Sequence, residues 1–360
     1  MATEQNLQRS DGDRPRGTAD DDLQSLGAAP DDNHAWATSL KPGRRFSSRG
    51  ATTAVLNNVV WLLLIIICIV AGMMNSFFLS VPNLQNILVQ ATVLGFVSLS
   101  VALALLLGEI DLSIIGNLVF SGTIGALLMK AGIMSGLTAI LVVIAIGALI
   151  GAVNGVCIAY MRMNSLITTL AMGLILGGAV LALTKSQTIS IGDPVYLYAG
   201  TAHWGTWPVM PVALVLIYAL AWLVLTRTTF GRRVYAVGGN ARAAVATGIR
   251  VPRVKFAAFV VGGALCGAAG VLQTSYLGGV NSTVASTILL YAVAAPVIGG
   301  VSLQGGRGHV LGMLGGVLLI TVIQVALQIV NISAYYVQMA GGIVIFIAVM
   351  FDASRIRFNR

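Results

Sequence analysis

The sequence predicts an all-α, polytopic membrane protein with about ten transmembrane helices. Of its 360 residues, 57% are hydrophobic and only 9% are charged, whereas soluble domains have about a quarter of their residues charged. The mean hydropathy is +0.90. Apolar runs of about 20 residues, the length that crosses a bilayer, recur along the chain. This composition excludes a soluble enzyme, a disordered protein and a nucleic-acid-binding domain.

The first 50 residues are predicted to be a disordered cytoplasmic tail. They hold eight of the twelve acids and seven bases, and they have almost no apolar periodicity. The first apolar run begins near Ala54, too late for a signal peptide, and follows Arg44, Arg45 and Arg49. We therefore expect an uncleaved anchor with the N-terminus inside, and a transmembrane domain over 51–360.

Ten membrane spans are predicted, the eighth being short and interrupted by Pro296. They cover residues 54–75, 84–107, 112–130, 134–160, 165–184, 208–226, 254–275, 285–300, 308–331 and 334–352. Because the number of spans is even, the C-terminus is predicted to lie in the cytoplasm, on the same side as the N-terminus.

The positive charge of the transmembrane domain indicates its orientation. Residues 51–360 hold fourteen bases against four acids, and seven of the bases lie in 227–255. Because Lys and Arg are retained on the cytoplasmic side, this basic loop is predicted to be cytoplasmic, and no nucleic-acid partner is expected.

Glycines spaced four residues apart predict close helix packing within the bilayer. They are Gly147, Gly151 and Gly155, then Gly263 and Gly267, then Gly308, Gly312 and Gly316. A short internal echo relates GEIDLSIIG at 108–116 to GGVSLQGG at 299–306. Two such interruptions in corresponding places point to the transport site in transporters that are built from repeats.

Enzymatic residue patterns are not found in the sequence. No grouping suggests a catalytic triad or a metal site, and Cys68, Cys157 and Cys266 each lie within an apolar run. The dipeptide Gly-Lys does not occur, which excludes a P-loop. We expect a protein that is not an enzyme and binds no cofactor of its own.

A capped short helix is predicted within the basic loop. Gly238 and Gly239 break the chain, Asn240 is a favourable N-cap, and Gly248 is a favourable C-terminal residue. A helix of about two turns over 241–247 is too short to be stable alone in water. It must therefore dock on another surface.

Several motifs resemble the permease subunits of ABC importers for ribose, galactose, arabinose and related sugars. The basic loop is similar to that family's "R-T-x-x-G-R-x-x-Y-A-x-G-G-N-x-x-A-A-x-x-x-G-I". GEIDLSIIGNLVFSG at 108–122, NSLITTLAMG at 164–173 and APVIGGVSLQGGRGHVLGMLGG at 295–316 are similar to further family motifs. The resemblance covers nearly all of 55–352, in order.

The resemblance implies a type II ABC-importer-like permease in a bacterial plasma (inner) membrane. It would be a homodimer that moves a monosaccharide or related polyol inward. A cytoplasmic ATPase subunit would bind ATP and Mg²⁺, and an extracytoplasmic binding protein would deliver the sugar. Residues 240–248 would be the coupling helix that inserts into the ATPase. The residues implied in coupling are Gly238, Gly239, Asn240, Ala243, Ala244 and Gly248.

The chain departs from the family pattern at several positions, and two of these departures change a charge. The second glycine of the family's "GGIDLS" is Glu109 here, and the acidic residue that follows the family's Asn is absent after Asn240. We found no reason in the sequence for an acid at position 109.

A hydroxyl-rich solute needs amide and hydroxyl side chains along its path. The candidates are Asn86, Gln90, Asp111, Ser113, Thr168, Thr169, Gln273 and Gln324. Hydrogen bonding between helices is the alternative role for these groups. For Asp111 we favour a cap on the free amides at the start of span three.

Two other functions remain open. Permeases for nucleosides or branched-chain amino acids share a related layout. An ion-coupled secondary transporter would use Glu109 or Asp111 to carry the ion.

Overall fold

The computed structural model describes residues 48–280 and 285–330, with eight single positions between 332 and 350. The predicted tail, apart from residues 48–50, and most of the tenth span lie outside the described residues. Ala51–Arg360 forms one compact unit of the chain.

The described chain is helical, and its helices follow the predicted spans closely. The helices are α1 (Ser48–Met74), α2 (Val81–Leu106), α3 (Ile114–Lys130), α4 (Gly136–Gly155), α5 (Ser165–Thr184), α6 (Pro194–Thr201), α7 (Met210–Arg227), α8 (Thr229–Gly239), α9 (Ala241–Ala246), α10 (Val251–Leu277), α11 (Ala285–Ile298) and α12 (Val310–Ile329). A 3₁₀ turn at Ser76–Leu79 precedes α2, and α4 continues as a π-helical turn over Val156–Tyr160.

Within the described residues, six helices are long and apolar enough to cross a membrane, and three shorter apolar helices accompany them. Together they correspond to the first nine predicted spans. The all-α, polytopic membrane fold is therefore confirmed, while the total of ten spans stays a prediction.

Helix α2 lies at the centre of the bundle, buried along most of its length from Ile87 to Leu106. Helix α10 packs along α4 and also contacts α2, α3 and α6. In contrast, α5 and α7 are largely exposed and apolar, with residues such as Leu174 and Leu216 turned outward. Such surfaces suit a protein whose solvent on the outside is lipid.

The spaced glycines bring helices into backbone contact, as predicted. A Cβ built on Gly151 would lie 2.2 Å from the carbonyl oxygen of Phe259, and one on Gly263 would lie 2.3 Å from that of Gly147. On the other side of the bundle, a Cβ on Gly316 would lie 1.9 Å from the Ala295 oxygen. The α4–α10 and α11–α12 contacts therefore require residues without a side chain.

The connections at the end of the bundle opposite the basic loop contain two short antiparallel sheets. β1 (Ile189–Ser190) pairs antiparallel with β4 (Gly279–Val280), and β2 (His203–Trp204) pairs with β3 (Trp207–Pro208).

Asp193 joins two elements at this end. Its carboxylate accepts hydrogen bonds from the amides of Tyr196 and Val195 in α6 and of Gly136 in α4. These backbone donors, the Tyr196 amide foremost, hold the pKa of the Asp193 carboxyl below its usual value.

Candidate coupling site and polar residues

The basic loop folds into two helices instead of the one predicted. Helix α8 begins at an N-cap, Thr228, whose hydroxyl accepts a hydrogen bond from the Gly231 amide. Its inner face buries Gly231, Val234 and Val237. Helix α8 was not predicted, because Gly238 and Gly239 indicated a break in the chain. They are instead the last two residues of α8, and the chain turns at Asn240.

Helix α9 has the predicted cap. The Asn240 side chain accepts a hydrogen bond of 3.0 Å from the Ala243 amide, and Gly248 follows the helix with a φ of +81°. Ala244 is buried against the bundle, while Ala243 and Val245 are exposed, Val245 by 60%. Apart from the exposed Arg242, the outer surface of α9 is therefore small and apolar, and among the described residues nothing covers it.

Three backbone segments meet beside α9 at a cluster of glycines, here called the glycine junction (Gly108, Gly238 and Gly306). The Gly306 amide donates a 2.9 Å hydrogen bond to the carbonyl oxygen of Leu106. A Cβ on Gly238 would lie 1.8 Å from that same oxygen and 2.7 Å from the Gly306 nitrogen. The end of α8 is thus wedged against both non-helical segments of the internal echo.

The two segments of the internal echo meet at the glycine junction. These segments, 107–113 and 299–309, are non-helical and touch each other. They lie at the basic-loop end of the bundle, and a transport site at these interruptions stays a prediction. Tyr235 adds a further link, since its hydroxyl donates to the Gly308 carbonyl at 3.0 Å. The roles of Tyr235 and Gly306 were not predicted, because they depend on contacts with residues that are distant in the sequence.

Two of the predicted coupling glycines are not constrained in this way. A Cβ on Gly239 or Gly248 would meet nothing within 4 Å among the described residues. For Gly248 the positive φ supplies a separate reason for glycine. For Gly239, no contact among the described residues explains why the position is a glycine.

Glu109 forms an ion pair with Lys255, in the first turn of α10. Both side chains are largely buried, with 14% of Glu109 and 21% of Lys255 exposed. The pair joins the segment after α2 to the helix that follows α9. It explains the acid at position 109.

Asp111 and Ser113 are buried in a polar cluster, with exposures of 6% and 1%. One carboxylate oxygen of Asp111 accepts from both the amide and the hydroxyl of Ser113. The Asn154 amide donates to the Ser113 hydroxyl at 2.8 Å. The predicted cap needs correction: Ser113 occupies the N-cap position of α3, and Asp111 bonds its amide without reaching the first turn.

Of the two candidate threonines, Thr169 holds the same segment in place. The Thr169 hydroxyl accepts from the Leu112 amide at 3.0 Å and contacts the carbonyl oxygens of Ile110 and Ser165. Thr168 donates to the Asn164 carbonyl within its own helix. Both side chains are buried, so in this conformation they serve interhelical and intrahelical hydrogen bonding.

The remaining pathway candidates lie in the other half of the bundle. Gln90 donates to the Asn86 side chain at 3.1 Å, which bears out their predicted common face. Gln324 hydrogen-bonds with Tyr291, linking α12 to α11. Gln273 is half-buried near the end of α10. The structure therefore groups Asp111, Ser113 and Thr169, but separates them from the amides.

Comparisons with known proteins agree with this architecture. The family described as "Branched-chain amino acid transport system / permease component" matches residues 83–349. The ribose import permease protein RbsC of Haemophilus influenzae is 36% identical over 293 residues, which cover 80% of this chain and 90% of that protein.

Two further relatives differ in the sugar that their names carry. The L-arabinose ABC transporter permease protein AraH of Azospirillum brasilense is 33% identical, over 77% of this chain and 82% of its own. The D-allose transport system permease protein AlsC of Escherichia coli is 31% identical, over 81% and 90%. No solved structure matches the chain. The chain belongs to the family of branched-chain amino acid transport system permease components.

Proposed function

We propose that this chain is the permease subunit of an ABC importer that moves a monosaccharide or related polyol into a bacterial cell. The observation that carries the proposal is the glycine junction beside α9. The capped helix α9 directly follows α8, and the end of α8 is wedged, through Gly238, against both interruptions of the helical bundle. A partner that pushed or pulled on α9 would therefore act directly on the segments that end α2 and begin α12.

The partner is an ATPase subunit that binds ATP and Mg²⁺ and receives α9 in a groove. An extracytoplasmic binding protein delivers the solute at the opposite end. The functional unit is a homodimer with both termini in the cytoplasm, an orientation supported by the basic loop of seven cations. The substrate class is supported by relatives named for ribose, L-arabinose and D-allose.

Substitutions at Ala243 test the docking of α9. Because Ala243 is exposed, Ala243→Arg should leave insertion and thermal stability unchanged, yet abolish stimulation of the ATPase by the loaded binding protein. Ala243→Ser keeps a small side chain and should retain the stimulation. Full stimulation in Ala243→Arg would refute docking through this face.

The substrate class has its own measurement. Pentoses, hexoses, nucleosides and branched-chain amino acids are titrated against the partner binding protein by calorimetry, and each is then tested for stimulation of ATP hydrolysis. The description of the matched family favours branched-chain amino acids as the second candidate. Stimulation by leucine or isoleucine, and by none of the sugars, would establish that second candidate.

The ion-coupled alternative is less well supported by the geometry. Glu109 is engaged by Lys255, and Asp111 by Ser113, so in this conformation both acids already have partners. Uptake driven by a proton or sodium gradient with the purified chain alone, lost in Asp111→Asn, would favour this alternative.

A further inference from the structure

Three arginines lie together where α7 ends and α8 begins. Arg227 is the last residue of α7, and Arg232 and Arg233 lie one turn into α8. All three are exposed. The guanidinium of Arg232 reaches back to the backbone carbonyl of Arg227 at 3.5 Å, which places the Arg232 side chain beside the end of α7. We call this group the arginine corner.

The corner lies at the end of a helix that faces outward. Val215, Leu216 and Leu220 on α7 are each more than half exposed and apolar, so in a bilayer this face contacts hydrocarbon. Trp222 follows on the same helix and is 42% exposed, with the Arg227 guanidinium 5.7 Å from its ring centroid. Tryptophan and arginine in this order mark the headgroup level of a membrane.

The charges of the corner are not balanced within the described chain. There the single ion pair joins Lys255 to Glu109, and none of the three arginines has a carboxylate partner. On α8 the exposed positions 229, 232, 233 and 236 form one stripe, opposite the buried face of the helix. Two guanidinium groups are therefore presented away from the bundle, beside a third at the membrane boundary.

We propose that the arginine corner binds the phosphate headgroup of an anionic glycerophospholipid, whose acyl chains lie along α7. Arginine presents a planar fork of donors that matches phosphate oxygens, and its weak hydration favours such contacts at an interface. The six residues of α8 that follow Arg233, and Asn240 after them, set the arginines apart from α9, so this surface is separate from the one proposed to receive the ATPase.

Quenching of Trp222 fluorescence tests the proposal locally. The full chain, with its other four tryptophans replaced by phenylalanine, is reconstituted in vesicles of phosphatidylcholine with phosphatidylglycerol. One lipid or the other carries bromine on its acyl chains. We expect brominated phosphatidylglycerol to be preferred at this site by about fivefold, the factor that corresponds to one arginine–lipid attraction.

In the variant Arg227→Gln/Arg232→Gln/Arg233→Gln, the ratio of quenching by brominated phosphatidylglycerol to quenching by brominated phosphatidylcholine should fall to about one. A matched control, Arg242→Gln/Arg250→Gln/Arg253→Gln, removes the same charge from the same loop away from α7, and should keep the preference. Replacing chloride by inorganic phosphate at equal ionic strength should change nothing, since the site takes the headgroup of a lipid.

Several results would overturn the proposal. Equal quenching by both lipids in the parent chain would show no anionic preference, and no quenching by either would mean that protein covers Trp222. If the control variant Arg242→Gln/Arg250→Gln/Arg253→Gln also lost the preference for phosphatidylglycerol, the preference would come from the overall positive charge of the loop and not from the arginine corner. If inorganic phosphate reduced the preference for phosphatidylglycerol, the corner would bind a soluble anion and not a lipid headgroup. Unchanged lipid preference in the Arg227 triple variant, with lost binding of the ATPase subunit, would assign the corner to that subunit.

Discussion

Substituting alanine for Gly238 tests whether the glycine junction connects α9 to the bundle. The new Cβ would lie 1.8 Å from the Leu106 oxygen, and contacts below 3.0 Å are essentially not found. The end of α8 would have to retreat by about 1.2 Å. Both opposing atoms belong to backbone that is itself fixed, by the hydrogen bond from Gly306 to Leu106. Neither can turn aside as a flexible side chain would.

The cost follows from these contacts. Overpacking a well-packed site costs about 1–3 kcal/mol, and leaving a half-buried amide such as that of Gly306 unsatisfied costs up to about the same amount. Because one movement relieves both problems, we expect a combined loss of about 2–4 kcal/mol in the free energy of unfolding. That is a large fraction of the stability of an ordinary domain, about 5–15 kcal/mol.

Gly239→Ala is the matched control, since a Cβ there meets nothing within 4 Å among the described residues. Alanine is the better helix former, so its free energy of unfolding should stay within about 1 kcal/mol of the parent value. Unfolding in detergent micelles is followed by circular dichroism for both variants. An equal effect of the two substitutions, or a Gly238→Ala variant as stable as the parent chain, would refute the packing argument.

Other predictions concern polar contacts. The single variants Glu109→Lys and Lys255→Glu should each lower thermal stability, because each places two like charges at a largely buried site, whereas the double exchange should restore most of it. Asn240→Ala should destabilise α9 by about 1 kcal/mol and speed hydrogen exchange at the Ala243 amide. Asp193→Asn should lower stability at neutral pH, and its difference from the parent should vanish in acid.

The sign of the last effect follows from the pKa of Asp193, which the folded state lowers. Its contribution is complete above the unfolded pKa of about 3.9 and is lost as the pH falls through the lower folded value. A stability difference that stays constant from pH 6 to pH 3 would contradict this account. If the double variant Glu109→Lys/Lys255→Glu were no more stable than either single variant, the ion pair would be contradicted. If hydrogen exchange at the Ala243 amide were unchanged in Asn240→Ala, the cap would be contradicted.

The membrane class, the helix bounds and the cap of α9 were predictable because each depends on residues close together in the sequence. A run of about 20 apolar residues specifies a span by itself. The Asn240 cap involves an amide only three residues away. The glycine spacing likewise predicted close packing, although the partner helix in each contact was not specified by the pattern.

What the sequence by itself determined is therefore the kind of molecule: a bundle of apolar helices with one basic loop and one capped helix in that loop. Only the tertiary structure decided which distant segments meet. Glu109 and Lys255 are 146 residues apart, and Leu106 and Gly306 are joined only because the end of α2 lies beside the segment that leads into α12. Local propensities say nothing about such pairs, since the packing of whole helices brings them together.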